Sequence, residues 1–288
     1  MERSLAFPGI AATAADLDLD VGVIYTHERQ FMPRLLTTLR GSSAELNTRL
    51  VLVDNCSEEG VDPWLGYFPE TTVLRNSQQL SYAANLNRIL QACRARYVLL
   101  LNTDLYFDPS ETCLAKMVDF MENQPRCGIA GCRVYHENGS YAYPARRFQT
   151  VPVILSRRLG LERFMPGTLD HYLYRDYPRQ ARWQCDWISG CFMMVRRAAF
   201  EEVGYFDARF VKYFEDVDMC LRMSRAGWSA MYNGQTYCYH LERRGSKNLL
   251  SLDAWKHARS YLRWLQKWGF SPRRESIEAP SEPARRAA

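Results

Sequence analysis

The chain lacks several features that would each have fixed its class. No run approaches the roughly 18 consecutive apolar residues of a membrane span. The opening stretch, MERSLAFPGIAATAADLDLD, has no long apolar centre of the kind an export signal carries. A cytoplasmic, unexported protein is therefore expected. The nine cysteines include no C-x-x-C pair. An odd number, mostly set in apolar stretches, predicts reduced thiols packed as small hydrophobes rather than a disulfide framework or a zinc site. The first apolar run leads into Thr26-His27-Glu28-Arg29 without a glycine, so the G-x-G-x-x-G loop of a dinucleotide-binding dehydrogenase is missing. No G-x-x-x-x-G-K-[ST] is present for P-loop chemistry. A strong charge of one sign is absent too. The 37 Lys plus Arg exceed the 32 Asp plus Glu by only +5, too little to name nucleic acid as a partner.

What remains is 288 residues of ordinary globular composition, 47% hydrophobic and 24% charged, long enough to hold a core without staples. Length alone allows one large domain or two small ones. Apolar runs at residues 21–25, 50–53, 72–74 and 97–101 predict strands, with helices over about 32–40 and 83–93. Continuous apolar strands alternating with helices predict an α/β fold with a parallel sheet covered on both faces. Pro33 suits the first turn of the first helix and Gly41 its stop. Asp108-Pro109-Ser110-Glu111 combines a capping Asp, an early Pro and a Glu three residues on, and predicts a helix start.

The second half changes character. Asn138-Gly139 predicts a type I′ hairpin. Residues 148–182, rich in Arg, Tyr and Pro without a clean period, predict a long surface or binding loop. A strand is expected over 187–195, a helix over 215–226 stopped by Gly227, a last strand over 235–241, an amphipathic helix over 255–268, and a disordered tail from 271.

Three acidic stations end apolar strands or open a helix: Asp54 in VLVDNCS, Asp104 in YVLLLNTD, and Glu215-Asp216-Val217-Asp218. Ligands of open parallel sheets bind at the carboxyl ends of strands, so Asp54 and Asp104 can face one crevice. The bland alternative for each is a turn or helix cap. Asn102-Thr103-Asp104 suits a hard cation such as Mg2+ or Mn2+, which takes few protein oxygens and leaves room for substrate phosphates.

The stretch WISGCFMMVRRAAFEEVGYFDARFVKYFEDVDMCLRMSRAGWSAMYNGQTYCYH then carries a resemblance. It is similar to the W-x-S-G-A-x-x-x-x-R-R, G-x-F-D-E-x-F, E-D-x-D-L and R-x-G-W pattern, with a downstream His, of family 2 glycosyltransferases of the GT-A fold. Gly190, Arg196, Arg197, Gly204, Phe206, Asp207, Phe210, Glu215, Asp216, Asp218, Arg222, Gly227, Trp228 and His240 match. The likeness runs over about residues 21–240 and is nearest in kind to short bacterial rhamnosyltransferases. It implies a Rossmann-like, mostly parallel central sheet flanked by helices, a smaller mixed acceptor-side sheet, and a C-terminal helix.

The resemblance also implies roles. Thr26 and Arg29 match the opening nucleotide-pocket motif, and Asp54 with Asn55 and Ser57 matches the motif whose Asp binds the base. Asp104 matches the last Asp of a D-x-D motif at the nucleotide and metal, Asn102 its first position, and His240 a distal metal-reaching His. Asp216 matches the catalytic base, with Trp187, Gly190, Glu215 and Asp218 as substrate or supporting residues. A helix dipole at Asp216 is expected to favour its charged form, with Glu215 and Asp218 restoring some basicity. Departures are His27 and Glu28 in the first motif, Gln79-Leu80-Ser81-Tyr82-Ala83 where N-x-G-F-A is usual, and Cys191 for Ala.

Function follows as an expectation. An inverting enzyme would transfer a sugar from a dTDP- or UDP-linked donor, best matched by dTDP-L-rhamnose, to a glycan or polyprenyl-linked acceptor in cell-surface polysaccharide or O-antigen assembly. UDP-galactofuranose and UDP-N-acetylglucosamine are the alternatives within the fold. A nucleotidyltransferase or a non-catalytic nucleotide-sugar-binding protein is the alternative outside it. The motifs need both halves, so a single domain over 1–270 is expected: 20–125 for the nucleotide sugar, 126–240 for acceptor and catalysis, and a helical extension over 241–270. In the last helix Trp255, Ala258, Leu262 and Leu265 form one stripe beside Lys256, Arg259, Arg263 and Lys267. Such a helix lies either in the inner face of the cytoplasmic membrane, making 251–270 a peripheral contact, or against the domain.

Overall fold

The computed structural model describes residues 17–158, 163–241, 252–270 and 272. The start of the chain and nearly all of the tail expected to be disordered from 271 lie outside the described residues. Strands β1 (Leu19–Tyr25) and β2 (Thr48–Asp54) are buried along nearly their whole length. Strand β4 (Tyr97–Leu101) is buried at every residue. With β3 (Thr71–Arg75) they form a parallel set in the order β3–β2–β1–β4.

Continuous apolar strands need cover on both faces, and alternate residues go to opposite sides. Leu50 and Leu52 meet Leu35, Leu36 and Leu39 of helix α1 (Met32–Ser42), whereas Val51 and Val53 meet Leu86, Ile89 and Leu90 of α2 (Tyr82–Ala92). Asp20 and Arg49 form a wholly buried pair at 2.6 Å, away from the strand ends that carry the acidic stations. The backbone N–H groups of Arg94 and Ala95 and the carbonyl of Ala92 complete its hydrogen bonds.

The second half extends this sheet and adds a small second one. β10 (Phe192–Arg196) runs antiparallel between β4 and β6 (Cys127–His136). β6 pairs in parallel with the long β11 (Ser229–His240). The two ends of β11 pair antiparallel with β8 (Arg182–Cys185) and β5 (Leu105–Tyr106). The small sheet is β7 (Ala145–Arg146) with β9 (Trp187–Ile188), and it is antiparallel. Between its two partners β11 shifts register from Asn233 to Tyr237. Gly234 lies in that shift, where a Cβ would sit 2.3 Å from the Arg179 carbonyl and 2.5 Å from that of Ala181, a separation no side chain tolerates.

Several local expectations are corrected. α1 continues through Gly41 to Ser42; a Cβ at Gly41 would stand 3.1 Å from the Pro109 ring, so close approach, not helix termination, is what the glycine serves. At Asp108 a 3-10 turn (Pro109–Glu111) forms, Thr112 turns left-handed at φ 47°, and α3 (Cys113–Glu122) starts afresh. The hairpin after β6 is not type I′. Only Gly139 of the Asn-Gly pair is left-handed. The Gly139 N–H donates to the His136 carbonyl and the His136 N–H to the Ser140 carbonyl, enclosing a three-residue loop.

Residues 148–182 are not a loop either. They hold α4 (Val151–Arg158) and α5 (Pro166–Tyr172), and Phe148, Leu169, Tyr172, Tyr174 and Tyr177 are buried. Short helices held by aromatic contacts, such as Tyr174 on Trp183 at 4.7 Å, leave no periodic trace. The strand expected over 187–195 is split by Ser189-Gly190-Cys191 into β9 and β10. α6 (Arg197–Val203) and α7 (Glu215–Arg225) follow, the latter ending beside a left-handed Gly227. α8 (Leu252–Trp268) packs on the domain through Tyr261, Trp264, Leu265 and Trp268, so of the expected stripe Leu265 faces inward and the rest does not. Trp264 is fully buried, while Trp255 is 75% and Leu262 60% exposed. All nine cysteines are free.

Candidate functional site

The carboxyl ends of β1, β2 and β4 lie side by side. Asp54 closes β2, and its Oδ1 accepts hydrogen bonds from the Ser57 N–H (2.9 Å) and hydroxyl (2.7 Å). Arg75 donates to Oδ2 at 3.1 Å. Burial pushes this carboxyl up, but the Ser57 bonds and Arg75 outweigh it and leave Asp54 below its usual range. Asn55 is engaged inward. Its Oδ1 accepts from Asn76 and from the Leu80 N–H, both at 2.8 Å, and its Nδ2 donates to Thr26 Oγ1 at 3.2 Å. Thr26, Asp54 and Asn55 are thus brought together, with Asn55 shaping the segment that precedes α2. Arg29 stands apart, exposed and paired with Glu59 at 3.1 Å. It borders an open groove of about 650 Å³ lined also by His27, Gln30 and Trp64, which none of Asp104, Asp216 and His240 line.

The second station is built by strand pairing. β5 and β11 place His240 opposite Leu105, and the Leu241 N–H donates to the Asp104 carbonyl at 2.9 Å. His240 Nε2 then lies 3.0 Å from Asp104 Oδ1, with the two side chains 11% and 20% exposed. An imidazole and a carboxylate that both remain partly exposed fit a borderline or hard divalent ion such as Mn2+ or Mg2+ with open positions. Among the described residues no three His, Cys, Asp or Glu side chains converge, so substrate and water would complete such a shell. Asn102 is set beside them by its N–H to the Cys191 carbonyl at 3.0 Å. Its Oδ1 accepts from the Tyr82 hydroxyl at 3.0 Å.

The third station opens α7. Tyr213 and Phe214 both have φ of 70°, a left-handed pair that costs roughly 1–2 kcal/mol per residue in non-glycine backbone. Phe214 is held in that turn by Tyr261 and Trp264 of α8, at ring distances of 5.7 and 5.8 Å. Asp216 emerges partly open to solvent. Its Oδ2 accepts the Gly190 N–H at 3.0 Å and its Oδ1 the Val217 N–H at 2.8 Å. The expected gain in basicity comes first from burial and not from Glu215 or Asp218. Burial raises the Asp216 carboxyl above its usual value, and those two N–H bonds with the nearby Arg146 charge offset only part of the rise.

Glu215 is buried, its Oε2 has no hydrogen-bond partner among the described residues, and burial together with the Asp216 charge pushes it from 4.5 to about 8. Folded protein therefore keeps a proton that unfolded chain has already released over that interval. Stability falls as pH rises from about 4.5 to about 8 and stays reduced above it. Glu215→Gln, a neutral isostere, is expected to melt with the wild type at pH 4 and several degrees above it at pH 8.5, read by calorimetry at both pH values. Equal melting at pH 8.5 would show that Glu215 is not held neutral.

Two expected support residues have other duties. Asp218 is fully buried and binds Arg222, Lys267 and Trp268, so it anchors α8 and does not face a ligand. Trp187 is buried, donates to the Arg147 carbonyl at 2.7 Å and carries the Arg146 guanidinium over its ring at 5.0 Å. Gly190 packs against Asp216, where a Cβ would meet Oδ2 at 3.5 Å. Sequence reasoning missed Tyr82, Arg75 and Arg146. Tyr82 was visible only as a departure from the N-x-G-F-A segment. Burial and the charges of Glu215, Cys191, Asp216 and Asp104 hold its phenol well above the usual value, so it stays a proton donor.

Asp104, His240, Asn102, Gly190 and Asp216 therefore gather at one end of the sheet, beside Asp54. The model of the family described as "Glycosyl transferase family 2" matches residues 20–204. The chain belongs to family 2 of the glycosyltransferases. An N-acetylglucosaminyl-diphospho-decaprenol L-rhamnosyltransferase of Mycobacterium tuberculosis is 27% identical over 214 residues, 70% of this chain and 68% of that protein. The Escherichia coli K12 rhamnosyltransferase WbbL is 27% identical over 173 residues, 59% of this chain and 62% of that protein. Among solved structures, the mannosyltransferase PcManGT of Pyrobaculum calidifontis, in complex with GDP-Man and Mn2+, superposes with a TM-score of 0.60 at 16% identity. That superposition covers 93% of this chain and 66% of the other, and it shows the shared GT-A fold. The chain spans about two thirds of the length of each of these proteins.

Proposed function

We propose that this family 2 glycosyltransferase is an inverting, metal-dependent rhamnosyltransferase. In this reading it takes the sugar from dTDP-L-rhamnose to a glycan or polyprenyl-linked acceptor in cell-surface polysaccharide or O-antigen synthesis. The observation that carries it is one continuous linkage. The Asp104–His240 pair and Asp216 sit at the same sheet end, joined through the Asn102 N–H on the Cys191 carbonyl and the Gly190 N–H on Asp216. The printed activities of the two curated relatives support rhamnose as the sugar and, for one, a decaprenyl-linked acceptor. The single continuous sheet, with strands from Leu19 to His240, supports reading both halves as one composite domain.

The proposed roles are these. Thr26 and Asp54 take the nucleoside, with Asn55 ordering the segment behind them and Arg29, exposed beside Glu59, at its outer edge. Mg2+ or Mn2+, held by Asp104 and His240, would supply Lewis-acid stabilisation of the diphosphate leaving group. Asp216 accepts the acceptor hydroxyl proton while that oxygen bonds to the anomeric carbon and the bond to the diphosphate breaks. Its raised basicity suits the task better than an ordinary surface carboxylate would. Single displacement inverts the anomeric centre.

α8 adds a place of action. No helix among the described residues is long and apolar enough to cross a membrane. The outer side of α8 presents Trp255, Lys256, Arg259 and Leu262 to solvent, which fits peripheral contact with an anionic inner leaflet. Thermal shift with dTDP-L-rhamnose, UDP-galactofuranose and UDP-N-acetylglucosamine, each with Mn2+, tests the reading. The matching donor stabilises by about 2.7 kcal/mol at a hundredfold excess over Kd, and EDTA should cancel the shift. No shift with any of them sinks the reading, and a shift with a UDP sugar alone replaces the donor. Trp255→Ala with Leu262→Ala should lower cosedimentation with anionic vesicles, and unchanged binding removes the membrane contact.

A further inference from the structure

Asn102 occupies the place where a D-x-D motif has its first carboxylate, and the structure gives its side-chain oxygen a donor, the Tyr82 hydroxyl. Tyr82 begins α2 directly after Ser81, whose hydroxyl oxygen accepts the Ala84 N–H at 3.3 Å. The segment before it is fastened by Asn55 on the Leu80 N–H. A phenol on the first turn of a capped helix, behind an anchored segment, has little freedom to move. Its hydroxyl lies 3.0 Å from Asn102 Oδ1 and 3.3 Å from the Gly190 carbonyl.

A phenol has one proton, and of the two acceptors in reach the Asn102 carbonyl oxygen at 3.0 Å is the nearer, so the hydroxyl donates there. The backbone around Asn102 is fixed as well, through its N–H on the Cys191 carbonyl. Among the described residues the Asn102 Nδ2 has no partner, and the residue is partly exposed. The amide therefore turns its oxygen toward Tyr82 and leaves its two N–H donors for the site.

Resting on the proposed reading, we infer that Tyr82 is a positioning residue that locks the Asn102 amide, so that Asn102 offers N–H donors to the diphosphate of the donor and not an oxygen to the metal ion. An amide donor beside Asp104 also lowers the negative charge that the diphosphate meets. A carboxylate at position 102 would add to it. Among the described residues the protein's share of the metal shell is then Asp104 and His240.

Titration calorimetry separates the alternatives, using dTDP, UDP and GDP against dTMP, UMP and GMP, with Mn2+ titrated in parallel. For the nucleotide that the wild type binds, Tyr82→Phe should weaken the diphosphate roughly tenfold, as expected for one lost oriented hydrogen bond. The monophosphate should change less than twofold, and Mn2+ half-saturation should stay at the wild-type value. A merely structural role would weaken both nucleotides alike. Asn102→Asp should weaken the diphosphate further without tightening Mn2+. Several-fold tighter Mn2+ in Asn102→Asp, or wild-type diphosphate affinity in Tyr82→Phe, overturns the inference. Should Tyr82→Phe not fold, the Mn2+ response of Asn102→Asp decides alone. A wild type that binds none of the three diphosphates with Mn2+ instead overturns the functional reading on which this rests.

Discussion

Asp216→Asn is expected to lower the transfer rate by about 10²–10⁴-fold, the usual yield of a positioned general base, while leaving nucleoside-diphosphate affinity within about twofold. The reason is local. Both Asp216 oxygens already accept a backbone N–H, from Gly190 and Val217, and each retains a lone pair for an acceptor hydroxyl. Asparagine keeps the shape but loses the proton-accepting charge. Glu215→Gln is the internal comparison, because Glu215 is buried and largely neutral near pH 7 whereas Asp216 is partly open. It should retain most of the rate. The pH profile of kcat/KM should rise through an apparent pKa above the usual 3.8 of an aspartate, and that limb should vanish in the residual activity of Asp216→Asn. Steady-state kinetics with radiolabelled donor reads both. Retention of more than a tenth of the rate by Asp216→Asn, or comparable losses in both variants, would move the base elsewhere.

Asp54, Asp104 and Asp216 could be picked out in the sequence because each follows an apolar run or opens an amphipathic helix, and strand ends of parallel sheets are where ligands collect. The contact between Asp104 and His240 could not be derived that way, since the two are 136 positions apart and meet only through the β5–β11 register. The family resemblance supplied it. Nor could a helical wheel orient α8. Trp255 and Leu262 look like a buried stripe, yet Trp264 is the residue inside. The choice was made by partners on other elements, Phe148 and Phe214 around Trp264 and Asp218 beneath Trp268. The aromatic stretch over 148–182 failed for a related reason. Its helices are short, and rings such as Tyr174 and Trp183 bury them without a repeat. The source of the raised basicity of Asp216 was not legible either, because hydrogen bonds at a helix start can be read from position, while burial cannot.

Asp218→Ala is expected to cost about 3–5 kcal/mol, the range for removing one member of a buried ion network, and to lower the melting temperature by roughly 10 °C. Asp218 is fully enclosed. Its Oδ2 accepts Arg222 Nε at 2.9 Å, and its Oδ1 accepts Lys267 Nζ at 2.7 Å and Trp268 Nε1 at 2.8 Å. Alanine would strand two cations and an indole N–H. Lys267 keeps Asp207 at 2.9 Å, and Arg222 keeps the Tyr205 carbonyl at 2.7 Å, so the loss stays below that of two isolated charges. The consequence should spread to chemistry. α8 is what clamps the left-handed Tyr213-Phe214 turn that aims Asp216, so an α8 released from Asp218 lets that turn relax toward ordinary backbone. Urea denaturation should show the lost stability, and hydrogen exchange should show deprotection concentrated in residues 252–268 and at the start of α7. Asp218→Asn, which can still accept from Trp268, should lie between the two. A loss under about 1 kcal/mol for Asp218→Ala, or deprotection spread evenly over the chain, would mean that α8 does not hold Asp216 in place.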